Sequence, residues 1–141
     1  MGSLSFLLDS NVLAELTRGE ANAGVMAKLA EHRAVCATSA LALHELAYGV
    51  AQLPDGARKA RLQRFIGGLL ECGMAILPYD QEAALWHARE RARLAAEGID
   101  APFRDGQVAA VAASRKLTLV SRNPADFQHF AGLSSTSWFT E

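Results

Sequence analysis

Residues 5–16, SFLLDSNVLAEL, place a short apolar run directly before a carboxylate and a helix-forming segment. The run Phe6-Leu7-Leu8 is typical of a buried strand. Asp9 then stands where the N-cap of a helix accepts a hydrogen bond from a free backbone N–H group. It also follows the carboxyl end of the strand, the edge at which open α/β sheets bind their ligands. The stretch predicts a strand followed by a helix, and it leaves Asp9 open as a cap or a functional carboxylate.

Strands and helices alternate along the rest of the chain. Apolar periodicity predicts strands over residues 4–8, 34–38, 74–78 and 117–121, with a weak last strand near 134–138. Helices are predicted over residues 10–17, 21–31 and 57–71, from Ser39 to Gln52, from Asp80 to near Gly98, and from Asp105 to about Lys116. This alternation predicts an α/β fold whose mostly parallel sheet, of four or five strands, is covered by helices on both faces.

Composition and charge restrict the class of protein. The chain of 141 residues is 50% hydrophobic and 21% charged, which predicts one globular domain over residues 1–141. The formal net charge of −1 shows no basic excess of the kind common in nucleic-acid-binding proteins. Neither a signal peptide nor a membrane anchor is predicted, and Cys36 and Cys72 are expected to be buried free thiols. We therefore expect a cytoplasmic protein.

Four carboxylates are poorly explained as ordinary surface charges. Most of the 15 acidic residues, Glu15 among them, fit solvated helix faces, turns or caps. Glu45 lies instead within the almost wholly apolar segment SALALHELAYGV, where a buried carboxylate without a partner is costly. Asp105 begins the small-residue segment DGQVAAVAA, and Asp126 follows the fourth predicted strand in SRNPADF. With Asp9, these residues form a set that stands near strand ends or helix starts.

Each of these carboxylates also has a structural explanation that the sequence leaves open. Asp9 and Asp105 could cap helices, Asp126 could support a short turn capped by Asn123, and Glu45 could face solvent. Together they predict a site at one rim of the sheet, because clustered carboxylates repel and a hard cation such as Mg²⁺ or Mn²⁺ offsets that repulsion. The four histidines are scattered and neither cysteine belongs to a Cys-x-x-Cys pair, which argues against zinc.

Four segments in this order resemble those of PIN-domain proteins, specifically the VapC-type toxins of bacterial toxin–antitoxin pairs. They are FLLDSNVLAEL, ATSALALHELAYG, LPYDQEAALWHARERARLAAEGI and RDGQVAAVAASRKLTLVSRNPADF, and they cover nearly the whole chain. The resemblance implies a three-layer α/β/α fold and an endoribonuclease that hydrolyses RNA phosphodiester bonds with Mg²⁺ or Mn²⁺. It also implies a homodimer, an RNA substrate of the tRNA or mRNA class, and inhibition by a cognate VapB-type antitoxin.

The resemblance further implies roles for individual residues. It makes four carboxylates catalytic and metal-binding: Asp9, Glu45, Asp105 and Asp126. Ser10 stands where the family more often has threonine, and both Ser10 and Asn123 would support the metal site. Arg122, beside this group in sequence, is either a phosphate contact or a surface charge. Arg104 and Gly106 flank the third acid in a segment that varies in the family.

Two alternative functions compete with the nuclease. A phosphatase of the haloacid-dehalogenase type would use Asp9 as a nucleophile and a second aspartate two residues later, but that position is Asn11. The other alternative is a non-catalytic PIN-like module that binds RNA or a partner, which would not need all four carboxylates. For the implied antitoxin, the first two predicted helices offer an apolar contact surface: Val12, Leu13, Leu16, Val25, Met26 and Leu29.

Overall fold

Five short strands form one sheet in the computed structural model, which describes residues 3–141. The strands are β1 (Phe6–Leu8), β2 (Cys36–Ser39), β3 (Ala75–Leu77), β4 (Thr118–Val120) and β5 (Ser134–Thr136). Their order is β3-β2-β1-β4-β5, and every neighbouring pair is parallel. The predicted α/β fold is confirmed, and the sheet has five strands within the described residues.

Six α-helices accompany the strands in the described part of the chain. They are α1 (Ser10–Leu16), α2 (Ala23–His32), α3 (Ala40–Ala51), α4 (Ala57–Glu71), α5 (Gln81–Ala96) and α6 (Phe103–Ala113). Short 3₁₀ turns occur at Arg33–Val35 and Pro124–Phe127. The side chains of Asp9, Ser39 and Asp80 cap α1, α3 and α5. Within residues 3–141, none of these helices has both the length and the apolar character needed to cross a bilayer.

The sheet is buried on both faces because successive residues of a strand point to opposite sides. On one face, Leu7 and Leu119 pack with the small residues of α6, such as Ala109. On the other face, Leu8 and Val120 pack with apolar residues of α1 and α2. All five of these side chains are fully buried. The helices therefore form a layer on each side of the sheet, and the three-layer α/β/α arrangement is confirmed.

The order of the strands creates a switch point between β1 and β4. After β1 the chain adds β2 and β3 on one side, and then β4 and β5 on the other. In open α/β sheets, ligands bind beyond the carboxyl ends of the strands at such a point. Asp9 follows β1, and its backbone N–H donates to the carbonyl of Val120 at 2.9 Å. The fold thus brings the first predicted carboxylate to this edge.

The structure corrects two predictions about helix residues. α6 begins at Phe103 with Pro102 in the cap position, so Asp105 lies inside the first turn. Proline suits a helix start because its backbone angle is fixed and it has no N–H group to satisfy. Glu15 is buried rather than solvated, because its carboxylate accepts a 2.7 Å hydrogen bond from the Asn22 N–H before α2. The burial of Glu15 therefore results from a contact between two segments of the chain.

Side-chain exposure differs from expectation in two further places. Both cysteines are free thiols, but only Cys36 is buried. Cys72 is exposed because it follows the last turn of α4, at the surface. Half of the apolar residues expected to face an antitoxin instead belong to the core under the sheet: Val12, Leu13 and Val25. Met26 of that group is exposed.

Candidate active site

Asp9 lies at the switch point, immediately beyond β1. Its backbone is extended, and its Oδ1 accepts a 2.8 Å hydrogen bond from the Ser10 N–H at the start of α1. The side chain is only 2% exposed. Because the backbone of Asp9 also pairs with Val120, the strand and the helix fix this carboxylate together. Asp9 is therefore a helix cap and a rigidly held acidic group at the rim.

Glu45 reaches the same rim from α3. This helix follows β2 directly and packs against α1, which brings Glu45 Oε2 to 3.4 Å from Ser10 Oγ. The Glu45 side chain is 40% exposed. The carboxylate is therefore neither buried within the apolar helix nor free in solvent, because it lies at the opening between α1 and α3 and has partners there.

Asp105 and Asp126 lie at the other side of the opening. Asp105 is in the first turn of α6, and its side chain is 17% exposed. Burial raises the pKa of the Asp105 carboxyl, the hydrogen bond and charge of Arg104 oppose this, and the negative charges of Asp126 and Asp9 add to the increase. Asp126 is exposed and lines a surface cavity together with Asp105. It therefore belongs to the edge of the acidic group.

Arg104 lies among these carboxylates. Its guanidinium contacts three of them: Nη2 is 2.5 Å from Asp9 Oδ1, Nε is 2.6 Å from Glu45 Oε1, and Nη1 is 3.2 Å from Asp105 Oδ1. Nη2 also donates to Ser10 Oγ at 3.1 Å. Burial alone would lower the pKa of Arg104, but hydrogen bonds and charges from Asp9 and Glu45 raise it overall, so the side chain is a cation.

In the sequence, Arg104 is a residue that flanks Asp105 in a variable segment, and it has no predicted role there. A basic residue beside an acidic one is common on protein surfaces, so the pair Arg104-Asp105 is a weak signal alone. The usable signal was its context, because a cation directly preceded one member of a group of carboxylates that lacked partners.

Asn11 and Ser121 connect the ends of the two central strands. Asn11 Nδ2 donates to Ser121 Oγ at 3.3 Å, and Asn11 Oδ1 accepts from the Arg122 N–H at 3.0 Å. Ser121 Oγ also accepts from the Asn123 N–H at 3.2 Å. These bonds hold the segment after β4 against the start of α1. The asparagine that takes the place of a phosphatase aspartate thus has a structural role at the rim.

Arg122 and Asn123 lie near this rim, but their side chains do not join the carboxylates. The Arg122 guanidinium carbon is 4.8 Å from the centre of the Phe139 ring, and Nη1 is 3.7 Å from Glu15 Oε1. Asn123 is exposed and precedes the Pro124–Phe127 turn. Its side chain makes no capping hydrogen bond to this turn. Their roles at the site stay predictions.

The carboxylate and hydroxyl groups at the rim offer oxygen atoms, which are the ligands that Mg²⁺ and Mn²⁺ prefer. As placed, residues 3–141 contain no group of three Asp, Glu, His or Cys side chains spaced to hold one metal ion. Asp9, Glu45 and Asp105 are spaced instead around the wider guanidinium of Arg104, which acts as a stand-in cation. Their convergence on one positive group and their oxygen chemistry fit a hard divalent cation.

Most of the chain matches a known family. The family model described as PIN domain matches residues 6–133. The chain belongs to the PIN-domain family. The VapC ribonuclease Y4jK of Sinorhizobium fredii is 29% identical to this PIN domain over 125 residues, which are 86% of this chain and 89% of the relative. The tRNA(fMet)-specific endonuclease VapC of Shigella flexneri is 28% identical over 137 residues, with 96% and 98% coverage.

A solved structure has the same fold as this PIN domain. The DNA-bound VapBC of Salmonella typhimurium aligns with a TM-score of 0.84 at 25% identity, covering 96% of this chain and 98% of that one. The predicted PIN-like fold is thereby confirmed. Two relatives are named VapC, and this chain matches them over most of their length. The resemblance to the VapC-type branch of the family is therefore also confirmed.

Proposed function

We propose that this PIN domain is an endoribonuclease of the VapC toxin type, which hydrolyses RNA phosphodiester bonds with Mg²⁺ or Mn²⁺. The observation that carries this proposal is the convergence of Asp9, Glu45 and Asp105 on one cation at the switch point. A phosphodiester is an anion, so a cluster of carboxylates repels it unless a metal ion offsets much of the local negative charge. The printed names of the relatives, ribonuclease and tRNA(fMet)-specific endonuclease, support this chemistry.

In this proposal, Asp9, Glu45 and Asp105 hold the metal ion directly or through water. The bound ion supplies a Lewis acid that makes a water nucleophilic near neutral pH and neutralises charge on the phosphate. Asp9 is suited to this role because β1 and the α1 cap fix its position. Ser10 orients Glu45, since its hydroxyl is 3.4 Å from Glu45 Oε2.

The remaining site residues have outer roles in this proposal. Asp126 is exposed, and its charge acts on Asp105, so we assign it to completing the metal shell or orienting a water, together with Asn123. Arg122 is assigned to contact phosphate, because it is exposed near the rim and its contact with Glu15 is long, at 3.7 Å. Asp126 and Arg122 are therefore expected to contribute less than the three carboxylates around Arg104.

The substrate class that we propose to test first is tRNA, with mRNA as the second class. The name of the Shigella relative supports tRNA for that protein, and folded RNAs expose their cleavable bonds mainly in single-stranded loops. Pooled tRNA and an unstructured mRNA fragment, offered at equal concentration, would separate the two classes. Mapping the new RNA ends would then identify the cleaved bond.

The test of the nuclease compares wild type with Asp9→Asn and Asp105→Asn on pooled tRNA, with Mg²⁺ or with EDTA. Asparagine keeps the size and the capping ability of Asp9 but removes the charge that binds the ion. We expect each substitution to lower the cleavage rate by about 100-fold or more. Asp55→Asn is the matched control, because Asp55 lies on an exposed turn and contacts Lys59 at 3.5 Å.

The outcomes of this experiment also separate the nuclease from its rival. Cleavage at the wild-type rate by both site variants would overturn the assignment of the carboxylates. RNA binding without any cleavage, insensitive to EDTA, would support the non-catalytic PIN-like module instead. Thermal unfolding of each variant, followed by circular dichroism, tests whether a loss of activity reflects a loss of fold.

We also propose that a VapB-type antitoxin inhibits this protein through a groove between α1, α3 and α4. The groove has a volume of about 420 Å³, and its apolar lining includes Ala14, Leu46, Val50 and Leu62. Glu45 and Ser10 line its end, so an amphipathic segment in the groove would reach the acidic site. This surface replaces the buried residues of the first helices as the proposed contact.

The groove can be tested with a VapB-type antitoxin that copurifies with this protein. Gly49 lines the groove, and a Cβ added there meets nothing within 4 Å, so Gly49→Leu starts a bulky side chain from an open position of the groove lining. We expect it to weaken the complex roughly tenfold or more. Gly68→Leu is the control, since Gly68 also has open space but lies on α4 outside the groove lining. Equal binding by both variants would contradict this docking surface.

The remaining proposals concern organisation. We propose that residues 1–141 act as one PIN domain, that two copies form a homodimer, and that the protein works in the cytoplasm, where its RNA substrates are. Light scattering on the purified protein measures the number of copies, and a single cooperative unfolding transition would support one domain.

A further inference from the structure

Arg104 occupies the centre of the carboxylate cluster. Each of its three guanidinium nitrogens contacts a different carboxylate, those of Asp9, Glu45 and Asp105, at 2.5–3.2 Å. Both oxygens of Asp9 are engaged, because Nη1 lies 3.5 Å from Oδ2 while Nη2 contacts Oδ1. One side chain of this chain therefore contacts all three carboxylates that are proposed to hold the metal ion.

The position of Arg104 is specific and does not reflect a general attraction of nearby arginines. Arg104 lies in the first turn of α6, directly before Asp105, so its side chain starts at the site itself. Arg122 also lies near the rim, yet its guanidinium packs over Phe139 and approaches Glu15. Of these two arginines, only Arg104 contacts the acidic cluster, because its position in α6 places it there.

A guanidinium and a divalent ion require the same oxygen atoms. The guanidinium donates N–H bonds to carboxylate lone pairs, and Mg²⁺ coordinates those lone pairs at about 2.0–2.1 Å. With Nη2 of Arg104 at 2.5 Å from Asp9 Oδ1, that oxygen has no room for an ion on the same side. Two cations within one cluster also repel each other. The guanidinium and the divalent ion therefore exclude each other at these carboxylates.

We propose that Arg104 is an intrachain competitor of the divalent ion: it offsets part of the negative charge of the carboxylate cluster in the metal-free protein and must leave before the ion binds. This inference rests on the proposed metal site. It predicts that removal of the guanidinium strengthens metal binding. Removal of a metal ligand, or of a residue that only supports the ligands, has the opposite effect.

The test measures Mn²⁺ binding to the purified full chain without RNA, from the electron paramagnetic resonance signal of free Mn²⁺. We expect Arg104→Gln to bind Mn²⁺ about tenfold or more tightly than wild type, because a charged hydrogen-bonding competitor is lost. Arg104→Lys should give a smaller gain, since one ammonium cannot contact three carboxylates at once. Arg89→Gln is the charge-matched control on the exposed side of α5, and its affinity should stay within about twofold of wild type.

The outcomes separate this inference from the proposed function. If Arg104→Gln binds Mn²⁺ no more tightly than wild type while Asp9→Asn loses binding, Arg104 is not a competitor and the metal site stands. If neither wild type nor Arg104→Gln binds Mn²⁺, the metal site fails and the inference falls with it. Should Arg104→Gln not fold, the Nε–H resonance of Arg104 in wild type, identified by its absence from Arg104→Lys, is followed during Mg²⁺ titration. An unchanged resonance at saturating Mg²⁺ would overturn the proposal.

Discussion

Gly106, the residue after Asp105, has no side chain at the point where His87 lies. A Cβ built on Gly106 would overlap the His87 imidazole. This ring is 4% exposed, and its Nδ1 is 2.9 Å from the Tyr79 hydroxyl, so it has little freedom to move away. The close approach sets the first turn of α6 against α5, which in turn positions the carboxylate of Asp105 at the rim.

We expect Gly106→Ala to lower the free energy of unfolding by up to about 2 kcal/mol, measured by urea denaturation. Alanine gains about 1 kcal/mol over glycine in a helix, but overpacking a filled interior costs about 1–3 kcal/mol. Because the overlap is with a buried ring, the packing cost should dominate.

The matched control for this prediction is Gly68→Ala in α4, where an added Cβ meets nothing within 4 Å. It should raise the free energy of unfolding by up to about 1 kcal/mol, from helix propensity alone. In a double-mutant cycle, Gly106→Ala should lower the free energy of unfolding less in a His87→Ala background than in wild type, because the overlap is gone. A stabilising effect at both glycines would show that the His87 contact does not constrain α6.

Residue types identified Asp9, Glu45 and Asp105 as candidates, because carboxylates at strand ends or inside apolar helices have few ordinary explanations. The sequence could not predict that one guanidinium contacts all three. Such a contact depends on where α6 begins and on the distance between α1 and α3, and neither quantity is local.

At the scale of secondary-structure elements, local signals were sufficient where the capping residue and the apolar run agreed. Ser39 and Asp80 cap α3 and α5, and the predicted helix 57–71 matches α4 although no side chain caps its start. The start of α6 differs, because Phe103 and Arg104 extend the helix ahead of Asp105. This extension has a functional consequence, since it places Arg104 in the first turn, beside the acid that follows it.

The burial of Glu15 depends on contacts that a helix pattern cannot predict. Its position on α1 suggested a solvated face, but the Asn22 N–H binds its carboxylate at 2.7 Å, and Arg18 and Arg122 contact it. The Asn22 hydrogen bond is the main reason that the pKa of Glu15 is lowered, and the two arginines add to the effect. These partners lie outside the helix that carries Glu15 or at its end, so periodicity along α1 gives no sign of them.

For the whole molecule, the alternation of strands and helices predicted the fold class, because parallel neighbours require long crossover connections. The alternation does not determine which strands become neighbours. The order β3-β2-β1-β4-β5 puts β1 beside β4, although more than a hundred residues separate their pairing partners Leu8 and Val120. That pairing creates the switch point, and with it the distance between the carboxylates.

The stability of the whole molecule should depend on the charge of His87. Burial lowers the pKa of this imidazole, and the positive charge of Arg91 lowers it further. The folded protein therefore takes up a proton at His87 less readily than the unfolded chain, whose histidines titrate near pH 6.5. Above that pH, His87 is neutral in both the folded and the unfolded state, so its titration does not change the free energy of unfolding. As the pH falls below it, the unfolded chain binds the proton first and the free energy of unfolding decreases.

The measurement is the free energy of unfolding of wild type and of His87→Gln, obtained by urea denaturation at several pH values from about 7.5 to about 5. The difference between the two proteins should change with pH by at most about 1.4 kcal/mol per pH unit, since one proton is involved. His129→Gln, at an exposed histidine, is the control for loss of an imidazole as such. Differences between wild type and variant isolate His87 from Asp105, whose raised pKa also contributes to the total pH dependence. A wild-type curve parallel to that of His87→Gln over this range would show that the buried ring accepts its proton as easily as the unfolded chain does.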